Sequence, residues 1–129
     1  MPLLPISHRP QRQQAECLAA CAAMVLDYLN IHSSYDELLK ALQIGPAGAP
    51  FRNLNFLQSF GVSVLIEQGQ IDSFRTYLQQ NVPPIAFVAT QELSYWVEAT
   101  NHALVIAGID DHSVCVNDPS FADELKLLR

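Results

Sequence analysis

The first apolar block of the chain is a run rich in alanine and leucine, Cys17–Asn30. It lacks glycine and proline, so it predicts a buried helix that begins near Ala15 or Glu16. Glu16 suits that position because a carboxylate interacts favourably with the positive end of a helix dipole. Asn30 tolerates a left-handed backbone and is the predicted stop.

Turn and capping signals predict three further helices between residues 34 and 80. Ser34-Tyr-Asp-Glu37 has the spacing of a capping box, and leucines follow it. After a loop at residues 45–50, Pro50 is predicted to open a third helix that stops at Gly61. Residues 71–80 are predicted to form a fourth helix, with one apolar side made by Phe74, Tyr77 and Leu78.

Strand patterns are concentrated in the second half of the chain. They predict a strand at 62–66, a turn at Gly69, and three later strands at 85–89, 102–109 and 113–116. The strand at 85–89 is predicted to be buried, and the last two to form a hairpin. Helices followed by strands are typical of an α+β fold, in which helices pack on one side of an antiparallel sheet.

Length and composition fit one folded unit. The chain has 129 residues, of which half are hydrophobic and 16% are charged, enough for one hydrophobic core. We therefore predict a single domain over residues 1–129. The sequence leaves open the oligomeric state and whether the natural chain extends past Arg129.

The charge balance and the cysteine count restrict the partners and the compartment. The net charge is −6 and the pI about 4.9, without a run of like charges, which argues against nucleic acid or an anionic membrane surface as partner. The apolar runs are too short to span a membrane, and the N-terminus lacks the pattern of a signal peptide. Three cysteines, an odd number, favour a reducing compartment, so we expect a cytoplasmic protein.

Cys17 lies at the predicted N-terminus of the first helix. The helix dipole and the free backbone N–H groups stabilise a thiolate there, and the same N–H groups can stabilise an oxyanion. The alternative is a small apolar core residue, which is our prediction for Cys21. A metal shared by these two thiols is disfavoured because no further ligand pattern completes a site, so no cofactor is expected.

Three more residues complete a candidate active site with Cys17. His102 begins an apolar strand, from which its ring could accept the thiol proton. If the hairpin pairs around its turn, His102 lies opposite Pro119 to within a residue or two, and Asp118 could orient the imidazole. Gln11, six residues before Cys17, could donate an amide N–H to an oxyanion. Singly, each has an ordinary structural alternative; together they predict thiol chemistry.

A polar and aromatic loop is predicted to precede the hairpin. Its segment Gln91–Asn101 contains Tyr95 and Trp96, which are candidates for one wall of a substrate cleft. The alternative, equally open, is a surface loop whose aromatic side chains pack onto the core.

At these positions the chain resembles the bacteriocin-processing family, papain-like cysteine peptidases that cut leader peptides after a double glycine. The resemblance extends over essentially the whole chain and rests on five segments: Arg9-Pro-Gln11, Glu16-Cys17, Ala20–Tyr28, His102–Gly108 and Asn117-Asp-Pro119. It implies a papain-like α+β fold in which Cys17 is the nucleophile and His102 the base. It further implies that Asp118 orients the base and that Gln11 is the oxyanion donor.

Two features depart from the pattern of that family. Glu16-Cys17-Leu18 stands where the leader peptidases usually carry Asp-Cys-Gly, and a leucine there fills space beside the nucleophile. Those peptidases are also usually fused to a membrane transporter. Because the apolar runs of this sequence are too short to span a membrane, it resembles a stand-alone peptidase-like domain. We expect a hydrolase of peptide or amide bonds; the alternatives are an acyltransferase using the same thioester and a catalytically silent binding module.

Overall fold

The computed structural model describes residues 3–13, 15–68, 71–89, 101–121 and 125–128. Its helical elements come first: α1 (Cys17–Tyr28), α2 (Tyr35–Ala41), a 3-10 helix (Phe51–Phe60) and α3 (Ile71–Gln79). Its strands follow: β1 (Ile85–Ala89), β2 (Asn101–Ile109), β3 (Ser113–Asn117) and β4 (Leu125–Leu128). This order confirms the predicted α+β class.

The described strands form an antiparallel sheet in the order β1-β2-β3-β4. β2 pairs with β1 on one side and with β3 on the other, and a bulge interrupts its pairing with β3 between Ile106 and Gly108. Every residue from His102 to Ile109 is buried, so both faces of β2 are covered. A continuous apolar run is what such a strand requires.

Helix α1 contacts β2, and its alanines are buried. Ala19 and Ala22 are fully buried, and Ala103 on β2 is also fully buried. Alanines let a helix approach a sheet closely because little side-chain volume separates the two backbones. The buried apolar residues described here join in a core cluster drawn from the helices and the sheet; the single domain over 1–129 stays a prediction.

The predicted end of the first helix and the predicted start of the second helix are confirmed. Asn30 has a φ of 59°, the left-handed conformation expected just beyond α1. The Ser34 hydroxyl accepts a hydrogen bond from the Glu37 N–H at 3.0 Å, and the Glu37 carboxylate accepts one from the Ser34 N–H at 3.4 Å. This reciprocal pair is the capping box of α2.

The third predicted helix has the correct place but a different hydrogen-bond pattern. Residues 51–60 form a 3-10 helix between Pro50 and Gly61, and Gly61 has a φ of 89°. The Ser59 hydroxyl donates to the Phe56 carbonyl at 2.9 Å, three residues earlier in the chain. Local side-chain bonds of this kind compete with the α-helical ladder.

The prediction of a strand at 62–66 is wrong: in the described part of the chain these residues form no strand. Val62 and Val64 pack against the core, whereas Leu65 is 71% exposed. The alternation of apolar residues therefore reports which side chains face the core, but the segment lies outside the sheet. Gly69 lies outside the described residues.

The strand β1 was predicted to be buried and is only half-buried. Ala86 faces the core, whereas Phe87 is 46% exposed and makes a tilted ring contact with Phe51, with 5.0 Å between ring centroids. The reason is that β1 is at one end of the sheet order and not at its centre. Strand β4 was not predicted.

No helix among the described residues is long and apolar enough to cross a membrane.

The capping box of α2 gives a test of the fold. Ser34→Ala removes the N-cap acceptor from an exposed helix end and should lower the free energy of unfolding by about 1 kcal/mol. Ser33→Ala, at the neighbouring serine outside the capping box, is the matched control and should change it by less. Urea denaturation measures both, and equal effects of the two substitutions would contradict the assignment.

Candidate active site

Cys17 is the first residue of α1 and is half-buried, in contrast to the buried residues 18–24 that follow it. Within the described residues, Glu16 occupies the N-cap position without a side-chain capping hydrogen bond. The first N–H groups of a helix have no intrahelical partner, and a helix N-terminus favours negative charge. The helix end therefore suits a thiolate and a neighbouring oxyanion.

The hairpin of β2 and β3 brings His102 and Asp118 together. The paired residues Val105 and Asn117 set a register that places the start of β2 beside the segment just after β3. His102 Nε2 lies 2.6 Å from Asp118 Oδ1, with 4% of His102 and none of Asp118 exposed to solvent. The predicted closeness of these two residues is confirmed.

His102 also contacts Cys17, so its ring lies between the thiol and the carboxylate. Because Nε2 faces Asp118, the other ring nitrogen, Nδ1, is the one left for the thiol. Burial lowers the pKa of His102, but the hydrogen bonds to Asp118 and Cys17 outweigh it and raise this pKa from 6.5 to about 9. The imidazole is therefore protonated at neutral pH.

The pKa of the Cys17 thiol shifts in the opposite direction. Burial raises its pKa, but the hydrogen bonds from His102 and from the backbone of Ala103 outweigh burial, so the pKa of Cys17 falls below the ordinary 9.0. The backbone of Leu18 contributes in the same direction. A lowered thiol pKa beside a raised imidazole pKa is the condition for a thiolate–imidazolium pair.

Cys21 is a contrasting thiol one turn further along α1. It is fully buried, and burial together with the negative charges of Cys17 and Asp118 raises its pKa well above 9.0. The prediction that Cys21 is a core residue is confirmed.

Gln11 lies at the carboxylate side of the site. Its backbone N–H donates to the Pro119 carbonyl at 2.7 Å, and its side-chain Oε1 lies 3.4 Å from the Ser120 hydroxyl. The segment that carries it is tied to the helices by ion pairs of Arg9 with Asp27, at 2.9 Å, and of Arg12 with Asp36, at 3.1 Å. The four residues predicted for the site therefore come together, while their catalytic roles remain a prediction.

Ser120 is the site residue that sequence reasoning missed. Its hydroxyl lies 3.5 Å from His102 Nε2, and its backbone N–H donates to Asp118 Oδ1 at 3.0 Å. One signal could have found it, since counting outward from the hairpin turn placed the residues around Pro119 opposite His102.

The segment predicted as a cleft wall lies almost wholly outside the described residues. This applies to Gln91–Thr100, including Tyr95 and Trp96, whose role stays a prediction; Asn101 is the first residue of β2. Across the described ranges, no group of three His, Cys, Asp or Glu side chains could hold a metal ion.

The shifted pKa of Cys17 can be tested by alkylation with iodoacetamide. Because only the thiolate reacts, the rate at Cys17 should rise with pH through a midpoint below 9.0. His102→Gln removes the cation while burial remains, so the midpoint should move upward. Mass spectrometry of the labelled peptides measures each thiol, and Cys21 should stay unlabelled. A midpoint unaffected by His102→Gln would contradict the pairing.

Comparison with known proteins assigns the family. The model of the Peptidase C39 family matches residues 6–127. A solved structure, described as a double glycine motif protease from AMS/PCAT transporter in complex with the leader peptide, has a TM-score of 0.65 and 17% sequence identity. The alignment covers 98% of this chain and 81% of that one, and it supports the papain-like fold. A search of the curated proteins found no match. Since the family match extends over nearly the whole chain, this protein belongs to the Peptidase C39 family.

Proposed function

We propose that this protein is a cysteine peptidase that cleaves a peptide bond through a covalent thioester on Cys17. The observation that carries the proposal is the line of contacts from Cys17 through His102 to the buried carboxylate of Asp118, with the two pKa values shifted in opposite directions. Membership of a peptidase family supports the same reaction class.

In the first half of the reaction the Cys17 thiolate attacks the carbonyl carbon of the scissile bond. A C–S bond forms, and the carbonyl oxygen takes the negative charge. The His102 imidazolium then gives its proton to the amide nitrogen, and the C–N bond breaks to release an amine. In the second half, water attacks the thioester while His102 accepts a proton from it, and the acid product leaves as the thiolate re-forms.

The remaining groups stabilise this charge movement. The carboxylate of Asp118 holds the imidazole ring and stabilises its protonated form, as a buried partner does in other triads. The amide N–H of Gln11 and the backbone N–H of Cys17 are the proposed donors to the oxyanion. Donors of this kind contribute about 10²- to 10³-fold each to the rate in well-studied enzymes.

The family and the position of Leu18 support a proposal for the substrate class. The similar solved protease is described with a leader peptide and a double glycine motif. Leu18 stands where a glycine is usual, but its side chain is 3% exposed and belongs to the core cluster. Because this leucine packs inward, we propose that the cleft accepts a peptide with two glycines before the scissile bond.

The two cysteines of α1 provide a matched pair for testing the nucleophile. Cys17→Ala should reduce cleavage of a double-glycine peptide by at least about 10³-fold, because the covalent step is lost. Cys21→Ala should retain activity and lower the free energy of unfolding by about 1 kcal/mol, since it removes only a small buried group. Mass spectrometry of the products measures cleavage, and a Cys17→Ala protein as active as wild type would refute the proposal.

The same assay separates hydrolysis from the alternatives. With an added amine acceptor, preferential transfer of the acyl group to the amine over water would assign an acyltransferase. Absence of cleavage, with Cys17 labelled only at the pH of an ordinary thiol, would assign a catalytically silent binding module.

A further inference from the structure

We infer that Ser120 is a positioning residue that fixes which end of the Gln11 side-chain amide faces the reacting carbonyl. The inference rests on the proposed function, because it assigns a task within the same reaction. Ser120 itself does not contact the reacting atoms in this assignment and acts through Gln11.

The Ser120 hydroxyl lies between two polar groups of the site. It is 3.4 Å from Gln11 Oε1 and 3.5 Å from His102 Nε2. Both distances are at the long end for hydrogen bonds, as catalytic contacts often are before a substrate binds. The hydroxyl has one proton, so the direction in which it donates decides the arrangement.

The positions of the hydrogens on His102 and Asp118 determine the direction in which the Ser120 hydroxyl donates. His102 Nε2 lies 2.6 Å from a carboxylate oxygen of Asp118, which can only accept, so Nε2 carries a hydrogen and donates. A nitrogen that donates cannot accept from Ser120. The Ser120 hydroxyl therefore donates to Gln11 Oε1, and its own oxygen faces the His102 N–H.

This direction matters because the two ends of a glutamine amide have similar shape and opposite polarity. The oxygen end would repel a developing oxyanion, whereas the nitrogen end donates to it. By accepting from Ser120, the oxygen of Gln11 is directed to the His102 side and the nitrogen end is directed away from it. The hydroxyl therefore selects the orientation in which Gln11 can act as a donor.

Ser120 is itself held by the backbone. Its N–H donates to Asp118 Oδ1 at 3.0 Å, and the Phe121 N–H donates to the Asp118 carbonyl at 3.1 Å, which closes a turn. The Gln11 N–H donates to the Pro119 carbonyl at 2.7 Å, so the two backbones are joined beside the hydroxyl. Because the two segments are bonded to each other, the Ser120 hydroxyl and the Gln11 amide stay side by side when either segment makes a small movement.

Ser120→Ala and Ser120→Thr test the inference, with Ser59→Ala as a matched control on the distant 3-10 helix. Ser120 is exposed, so its substitution should leave the fold intact. We expect Ser120→Ala to lower kcat on a double-glycine peptide about 10-fold with little change in KM, less than the ~10²-fold loss of a donor itself. Ser120→Thr should restore kcat because it keeps the hydroxyl, and Ser59→Ala should equal wild type.

A double-mutant cycle shows whether Ser120 acts through Gln11. In a Gln11→Ala protein, Ser120→Ala should cause no further loss of kcat, because there is no amide left to orient. Additive losses would overturn the inference, as would Ser120→Ala with wild-type kcat. A shifted pH midpoint of Cys17 alkylation in Ser120→Ala would also overturn it, because the hydroxyl would then act through His102.

A peptide aldehyde, N-acetyl-glycyl-glycinal, gives a second readout that does not depend on turnover. Cys17 adds to its carbonyl reversibly and forms an oxyanion-like adduct, so the aldehyde should protect Cys17 from iodoacetamide. Protection should weaken about 10-fold in Ser120→Ala, by the loss of oriented donation. If cleavage and protection are weakened in Gln11→Ala while Ser120→Ala equals wild type, this inference alone is overturned. If the wild-type protein shows no cleavage and no protection by the aldehyde, the proposed function is overturned as well.

Discussion

The buried hydrogen bond between His102 and Asp118 is the interaction on which the rest of the site depends. Asp118 is completely removed from solvent, and His102 nearly so. A buried carboxylate without a partner is costly, by about 3–5 kcal/mol when one member of a buried pair is removed. The two side chains must therefore stay together, and their bond fixes the plane of the imidazole and the direction in which Nδ1 points.

With the imidazole fixed, the distance between α1 and β2 decides whether Cys17 can reach it. All four alanines of α1 are buried, and such small side chains let the helix lie close to the strand that it contacts. A larger side chain at Ala19 or Ala22 would push the helix outward and separate the thiol from the ring. The alanine-rich composition of α1 is thus a requirement of the site as well as of the core.

The sequence predicted those parts of the molecule that have a local physical cause. The apolar run of α1, the capping box at Ser34 and the hairpin turn each act within a few residues, so a single sequence reveals them. Counting residues outward from the hairpin turn likewise predicted that Asp118 lies close to His102. The bulge between Ile106 and Gly108, which shifts the register of β2 against β3, could not be read from the sequence.

What the sequence could not predict depends on partners far away in the chain. The alternation at residues 62–66 marks side chains that face the core, but joining a sheet requires a neighbouring strand with open hydrogen-bonding groups. Strand β4 is short, and it is defined by its pairing with β3 and not by its own pattern. Ser120 was overlooked because a serine after Asp-Pro is also an ordinary turn residue.

The contacts of the N-terminal segment bear on how Gln11, the proposed oxyanion donor, is held relative to His102, the proposed base. Arg9 and Arg12 tie this segment to the helices through exposed ion pairs, each worth only about 0–1 kcal/mol. These contacts alone would leave Gln11 loosely held. The bond from Gln11 N–H to Pro119 instead attaches the donor directly to the turn that carries Asp118, beside Ser120. Groups that are proposed to act on one carbonyl thus lie on segments that are bonded to each other, so a shift of one segment tends to move the other with it and to preserve their geometry.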